Sequence, residues 1–108
     1  MWDLKFLEEA VREAARAAGM EIVPIFGNPL VYKADPSNDP MGGGVTVLAL
    51  ITRSHIAIHS SIEGECIMFN CETCGEGTDP DAALKAFADL CGADVVDIHY
   101  TDYAGIDP

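Results

Sequence analysis

The sequence predicts an α+β fold in which an antiparallel β-sheet carries two helices on one face. Three observations support this prediction: helical periodicity near both ends of the chain, alternating strands between them, and a two-residue connection joining two of those strands. Strands joined by hairpins pair antiparallel, and amphipathic helices bury their apolar stripe against such a sheet. The predicted order is helix, strand, loop, three strands, helix and a last strand, in a single domain over residues 1–108.

Both helices have signals at their ends. Asp3 is a candidate N-cap for a first helix that runs to about Ala18, because apolar residues recur there at the spacing of one helical face. The second helix begins with Asp79 as the cap and Pro80 at the first helical position, a pair typical of helix N-termini. It is predicted to continue to about Cys91.

The strands follow from alternation and composition. Residues 21–26 predict an edge strand, because the segment contains Pro24, and the proline- and glycine-rich residues 27–44 predict a loop with a short extended piece at Leu30–Tyr32. Val45–Ile51 is apolar in both alternations, which is typical of a central strand covered on both faces. Further strands are predicted at Ser54–Ser60, Cys66–Cys71 and Asp94–Thr101.

Composition restricts the class of partner. Eighteen acidic residues against six basic ones give a net charge of −12, which repels nucleic-acid backbones and anionic membranes and favours a small cationic substrate. Val45–Ile51, the longest near-apolar run, is too short to span a bilayer. No signal-peptide pattern opens the sequence, so we expect a cytoplasmic protein.

Cysteines and histidines are the first candidates for chemistry. Cys71 and Cys74 form a C-x2-C pair. A structural zinc site would need a second pair of ligands, which the sequence lacks, and a thioredoxin-like redox motif would open a helix, whereas a glycine-rich segment follows here. His55 and His59 are four residues apart on a predicted strand, about 13 Å, too far to share one metal ion. No metal is therefore expected, and Cys66, Cys71 and Cys91 are interpreted as structural.

A longer pattern joins several of these residues. G-V-T at residues 44–46, S-H-I-A-I-H at 54–59 and T-C-G at 73–75 stand in register without a gap. Together they resemble the prokaryotic S-adenosylmethionine decarboxylases, in which a G-V-[ST] turn precedes E-S-H-[IL]-x-I-H-[TS]-W-P-E and a later T-C-G. The resemblance is sharp over residues 44–75. It implies an α/β sandwich that dimerises across the open face of its sheet.

The resemblance also implies a self-processing proenzyme. The hydroxyl of Ser54 would attack the carbonyl of Arg53, the chain would split between these two residues, and a pyruvoyl cofactor would remain where Ser54 was. That group would hold the substrate amine as a Schiff base and accept the electrons released by decarboxylation. His59 and Thr46 would assist processing, and the reaction would serve polyamine (spermidine) biosynthesis.

Two further roles follow from the same resemblance: Cys74 would be the acid that reprotonates the substrate carbon, and Glu63 would lie near the substrate ribose. The sequence departs from the family pattern at Arg53, where the family has glutamate, and at Ser61 and Ile62, where it has tryptophan and proline. An aromatic wall for adenine is therefore missing at that place.

Three functions remain open from the sequence. The first is a pyruvoyl-dependent S-adenosylmethionine decarboxylase, with Trp2, Phe26 or Tyr32 supplying the missing stacking. The second is a pyruvoyl-dependent decarboxylase of a small basic amino acid such as ornithine or arginine. The third is an unprocessed, non-catalytic relative that binds a ligand or regulates an active partner. Cleavage between Arg53 and Ser54 separates the first two from the third.

Overall fold

The computed structural model describes residues 3–35, 37, 43–52, 54–61, 66–73, 78–94 and 98. They form two helices and one four-stranded antiparallel sheet of order β1-β2-β3-β4, which confirms the predicted α+β class. The elements in chain order are α1 (Leu4–Ala17), β1 (Leu30–Ala34), β2 (Gly44–Ile51), β3 (Ser54–Ser61), β4 (Cys66–Glu72) and α2 (Pro80–Cys91).

The helix ends are capped as the sequence predicts. Asp3 accepts a hydrogen bond from the backbone N–H of Phe6 at 2.7 Å, and Asp79 accepts one from Ala82 at 3.1 Å. These bonds satisfy N–H groups that have no partner within the helix. Gly92 ends α2 in the left-handed conformation, with φ of 64°. The helices pack on each other, α1 on β2 and α2 on β4.

The core lies between the helices and one face of the sheet. Small buried alanines on α1 allow close packing, and Phe87 of α2 lies with its ring 5.1 Å from that of Phe69 on β4. The cross-strand register aligns Val47 with Ile58 and Ile58 with Phe69, so alternate residues of three strands point into this core. Ile56 and Ile58 of β3 are buried in this core, whereas His59, on the other alternation, is exposed.

The other face of the sheet, here called the open face, is not covered by any element among the described residues. Its large apolar side chains are solvent-exposed: Leu30, Tyr32, Leu48, Leu50 and Met68. The expectation that β2 is covered on both faces is therefore wrong for this single chain. The helices cover the alternation of β2 that contains Val47 and Ala49, which leaves Leu48 and Leu50 exposed.

Two further predictions need correction or completion. The predicted strand at residues 21–26 is wrong: only Ile22 forms an isolated bridge, with Ile51, because Pro24 lacks the N–H that would continue a ladder. The extended piece predicted at Leu30–Tyr32 is confirmed and reaches Ala34 as β1. Most of the predicted last strand, at residues 95–97 and 99–101, lies outside the described residues. None of the described helices is long and apolar enough to cross a membrane.

Candidate active site

The hairpin of β2 and β3 holds the chemistry-bearing residues at its two ends. We call them the Ser54 end, where residues 52 and 53 join the strands, and the Gly44 end, where β2 begins and β3 finishes. Ser54 is the first residue of β3 and pairs in register with Ile51. It is half-buried and shares the alternation of Ile56 and Ile58, which faces the helices.

Thr46 and His59 lie together near the Gly44 end. They are cross-strand partners, and the hydroxyl oxygen of Thr46 is 3.0 Å from Nδ1 of His59. His59 is exposed on the open face, between the cross-strand neighbours Thr46 and Met68. Tyr32 pairs with Thr46 on its other side, so an exposed aromatic ring flanks this pair of polar side chains.

Ser54 and His59 of one chain are far apart. Five residues along a strand span about 17 Å, and an odd spacing places the two side chains on opposite faces of the sheet. The hydroxyl of Ser54 therefore cannot contact the imidazole of His59 in the same chain. This odd spacing can be read from the sequence, and on a predicted strand it already assigns Ser54 and His59 to opposite faces of the sheet.

The end of β4 returns the chain to the Ser54 end. Glu72, the last residue of β4, pairs with His55, the neighbour of Ser54. The chain leaves β4 for Cys74 at this end of the sheet. Cys74 itself lies outside the described residues, as do Arg53 and Glu63, so the roles predicted for them stay predictions.

Asn28 is a structural contributor to the Ser54 end that the sequence analysis missed. Its side-chain amide donates to the carbonyl oxygens of Leu50 at 2.8 Å and Val23 at 2.7 Å, and its Oδ1 accepts from the N–H of Leu50 at 2.8 Å. Together with the backbone hydrogen bonds that join residues 21 and 23 to Thr52 and Leu50, this side chain completes the outer edge of β2 beyond the reach of β1. Gly27, with φ of 82°, closes the turn before it and leaves Phe26 fully exposed at the tip.

The described cysteines differ in burial. Burial raises the pKa of the Cys71 thiol to about 11 and also raises the pKa of Cys91, so both thiols stay protonated at neutral pH. Cys66 is exposed at the Gly44 end. Among the residues that the structure describes, no three His, Cys, Asp or Glu side chains lie close enough together to hold a metal ion.

A groove of about 350 Å³ is lined by residues of α2 and of the segment that follows it. Asp81, Lys85, Asp89 and Asp94 contribute its polar lining, and Ile98 contributes part of its apolar lining. Of the predicted site residues that the structure describes, Thr46, Ser54 and His59, none lines this groove.

Comparison with known proteins identifies the relatives of this chain. The family described as S-adenosylmethionine decarboxylase matches residues 1–103. The chain belongs to this family. That membership confirms the resemblance drawn from residues 44–75 and agrees with the open antiparallel sheet and two helices.

The similar proteins carry two kinds of name. The arginine decarboxylase proenzymes of Ignicoccus hospitalis and Hyperthermus butylicus are 34% and 32% identical, over 94% and 98% of this chain. The S-adenosylmethionine decarboxylase proenzyme of Pyrobaculum arsenaticum is 32% identical over 85% of this chain. The matches span 65%, 69% and 66% of these three relatives. No solved structure matches this chain.

Proposed function

We propose that this chain is the proenzyme of a pyruvoyl-dependent decarboxylase that cuts itself between Arg53 and Ser54. The observation that carries the proposal is a serine at the first position of β3, directly after a two-residue connection, in a chain that belongs to this family. A peptide bond in such a connection lies outside the cross-strand ladder. It can be cut while the pairing of β2 with β3 remains intact.

Processing uses atoms of this chain and water. The hydroxyl oxygen of Ser54 bonds to the carbonyl carbon of Arg53 while the Arg53–Ser54 C–N bond breaks, and the hydroxyl proton passes to the new amine. Loss of the α-proton of Ser54 then expels the carboxylate of Arg53, and addition of water with release of ammonia leaves the pyruvoyl group. Once formed, that group supplies an electron sink for decarboxylation of an amine substrate.

Thr46 and His59 are proposed to move protons during processing. Their contact of 3.0 Å orients the imidazole ring through Nδ1, and the other ring nitrogen is proposed to take and give the proton. Cys74, two residues beyond the end of β4, is proposed as the acid that reprotonates the substrate carbon, and Glu63 as a substrate-binding residue.

The active protein is proposed to be a homodimer that closes over the open face. Two observations support this: the exposed apolar side chains on that face, and the separation of about 17 Å between Ser54 and the Thr46–His59 pair. A second copy in an isologous dimer would bring its own Thr46–His59 pair to the open-face side of the Ser54 end of the first, where it would act on the backbone at the end of the hairpin, since the Ser54 side chain itself faces the helices. The site would then be assembled from both chains.

The substrate is proposed to be a cationic amino acid or its derivative, in keeping with the net charge of −12. S-adenosylmethionine is the first candidate, and the exposed ring of Tyr32 beside Thr46 supports a site that stacks on an adenine. Arginine is the second, supported by the two arginine decarboxylase proenzymes that match nearly the whole chain. Either reaction would serve polyamine biosynthesis.

Denaturing intact-mass spectrometry tests the proposal. We expect fragments 1–53 and 54–108, the second carrying a carbonyl in place of its amine, whereas a Ser54→Ala chain remains whole. Release of labelled carbon dioxide from S-adenosylmethionine, arginine and ornithine then identifies the substrate. A wild-type chain that stays uncut through long incubation would contradict the proposal and favour a ligand-binding relative.

Complementation tests the shared site. A Ser54→Ala chain keeps its Thr46–His59 pair but has no serine to process, whereas a His59→Ala chain keeps the serine. If the pair acts across the dimer, the His59→Ala chain alone stays uncut and is cut when the Ser54→Ala chain is added. No cleavage in the mixture, with dimers verified by light scattering, would contradict processing between chains.

A further inference from the structure

β2 and β3 approach each other unusually closely at the Gly44 end. Gly44 has φ of 151°, and a Cβ built on it would lie 2.1 Å from the carbonyl oxygen of Ser60. Real Cβ atoms essentially never come within 3.0 Å of another heavy atom, so only glycine fits between these strands. The absence of a side chain at Gly44 brings the backbone of Val45 within reach of the side chain of Ser60.

The hydroxyl of Ser60 serves both backbone polar groups of Val45. It accepts a hydrogen bond from the N–H of Val45 at 2.9 Å and donates a long one to its carbonyl oxygen at 3.4 Å. The regular β2–β3 pairing runs from Ile51 and Ser54 to Thr46 and His59, and it stops one residue short of Val45 and Ser60. A side chain therefore continues the pairing where the regular ladder stops. Val45 is only 6% exposed, so loss of that hydroxyl would leave its N–H without a partner away from water.

This contact is adjacent to the Thr46–His59 pair on both strands. Thr46 follows Val45 in β2, and His59 precedes Ser60 in β3. The alternation of the strands places Ser60 on the side of the helices and His59 on the open face. The hydroxyl of Ser60 thus joins β2 to β3 on the helix side of the sheet, whereas Thr46 and His59 are 3.0 Å apart on the open face.

We infer that Ser60 is a positioning residue for self-processing, whose hydroxyl keeps Thr46 in hydrogen-bond contact with His59. The inference rests on the proposed function, because it assigns the pair a role in cutting the chain. Ser60 acts through the backbone of Val45 and needs no contact with the reacting atoms. A small loss of alignment in such a pair is costly to rate, since catalysis depends on the placement of the proton-moving group.

The test measures the rate of self-cleavage of freshly synthesised chain by quenched intact-mass spectrometry. Ser60→Ala is expected to slow cleavage about tenfold, the equivalent of one hydrogen bond. Ser60→Thr keeps the hydroxyl and is expected to cleave within about threefold of wild type. Ser37→Ala is the matched control: it removes a serine hydroxyl that bonds to Asp35 in the loop after β1, and it should leave the rate unchanged.

Two readouts separate positioning from a general loss of stability. In a Thr46→Val background the pair is already broken, so adding Ser60→Ala should slow cleavage no further, whereas general destabilisation would slow it by the same factor again. Amide hydrogen exchange of Val45, measured by NMR on an uncut Ser54→Ala chain, should become faster with Ser60→Ala and stay slow with Ser60→Thr.

The possible results distinguish failure of the proposed function from failure of the role assigned to Ser60. An uncut wild-type chain would overturn the proposed function and the role of Ser60 together. A wild-type chain that cuts itself, beside a Ser60→Ala chain that cuts at the same rate, would overturn the role of Ser60 alone. A Ser60→Ala effect that multiplies with Thr46→Val would show that Ser60 does not act through the pair.

Discussion

The two ends of the β2–β3 hairpin are completed by side chains in different ways. At the Ser54 end, the amide of Asn28 reaches in from a preceding segment and bonds to Leu50 on the outer edge of β2. At the Gly44 end, the hydroxyl of Ser60 bonds to Val45 across the hairpin itself. The side chain that completes the Ser54 end therefore comes from a separate segment of the chain, whereas the one that completes the Gly44 end belongs to the hairpin itself. This difference predicts that matched changes at the two ends have unequal effects.

Each end has a glycine with positive φ, and these give the largest expected contrast. Gly44→Ala should lower the free energy of unfolding by about 3 kcal/mol or more, because the new Cβ would lie 2.1 Å from a backbone oxygen in addition to the strain of φ. Gly27→Ala has nothing within 4 Å of its Cβ and should cost only the strain, about 1 kcal/mol. Urea unfolding measures both, and equal losses would show that the close contact at Gly44 relaxes freely.

Asn28→Ala should lower the free energy of unfolding by about 2 kcal/mol, since it leaves the N–H of Leu50 without its partner. Asn28→Asp is the matched control. It keeps the acceptor for that N–H but loses both donated bonds and places a negative charge beside two carbonyl oxygens, so we expect no rescue at pH 7. Stability close to wild type in either variant, measured by thermal unfolding, would contradict a role for Asn28 in holding this end.

The cysteines of β4 report on the two ends by their reactivity. Iodoacetamide at pH 8 should label exposed Cys66 at least about tenfold faster than Cys71, whose pKa burial raises to about 11. Because an unfolded thiol titrates near 9.0, the unfolded chain loses this proton first. The contribution of Cys71 to stability is therefore present below that pH and lost as pH rises toward 11. In Cys71→Ala, the free energy of unfolding should fall less between pH 8 and 11 than in the wild type. Urea unfolding across that pH range measures this difference, and peptide mapping measures the labelling rates of Cys66 and Cys71.

Phe26→Ser should have the smallest effect. Its ring is fully exposed at the tip of the turn that Asn28 holds, so we expect a change within about 0.5 kcal/mol in dilute monomer. A larger loss that grows with protein concentration would show instead that a second chain covers this ring. Thermal unfolding at several concentrations distinguishes the two results.

The elements that could be predicted from the sequence are those specified by nearby residues. The caps at Asp3 and Asp79 and the alternation of β3 and β4 are local signals, and they agree with the structure. The segment around Pro24 was mispredicted as a strand: Pro24 lacks the N–H that would continue the ladder beyond Ile22, and the chain after it is held instead by Asn28, which bonds to Leu50, 22 residues away. No local pattern encodes a contact at that distance.

The site was predictable only as a set of residues. The motif identified Ser54, Thr46 and His59, and the register brought only the last two together. The bond from Val45 to Ser60 depends on the close approach at Gly44, which is a property of the paired strands. Side-chain contacts of this kind become visible once the register of the hairpin is known.

A cut in the short connection at residues 52 and 53 would change how the protein can refold. A cut there would divide the molecule into one piece with α1, β1 and β2 and another with β3, β4 and α2, joined by the central strand pairing and a shared core. Before the cut, folding is unimolecular. Afterwards, reassembly becomes a second-order reaction that slows as the fragments are diluted. The mature protein would therefore have folded before the cut, and its two separated fragments would refold more slowly at low concentration than the uncut chain did.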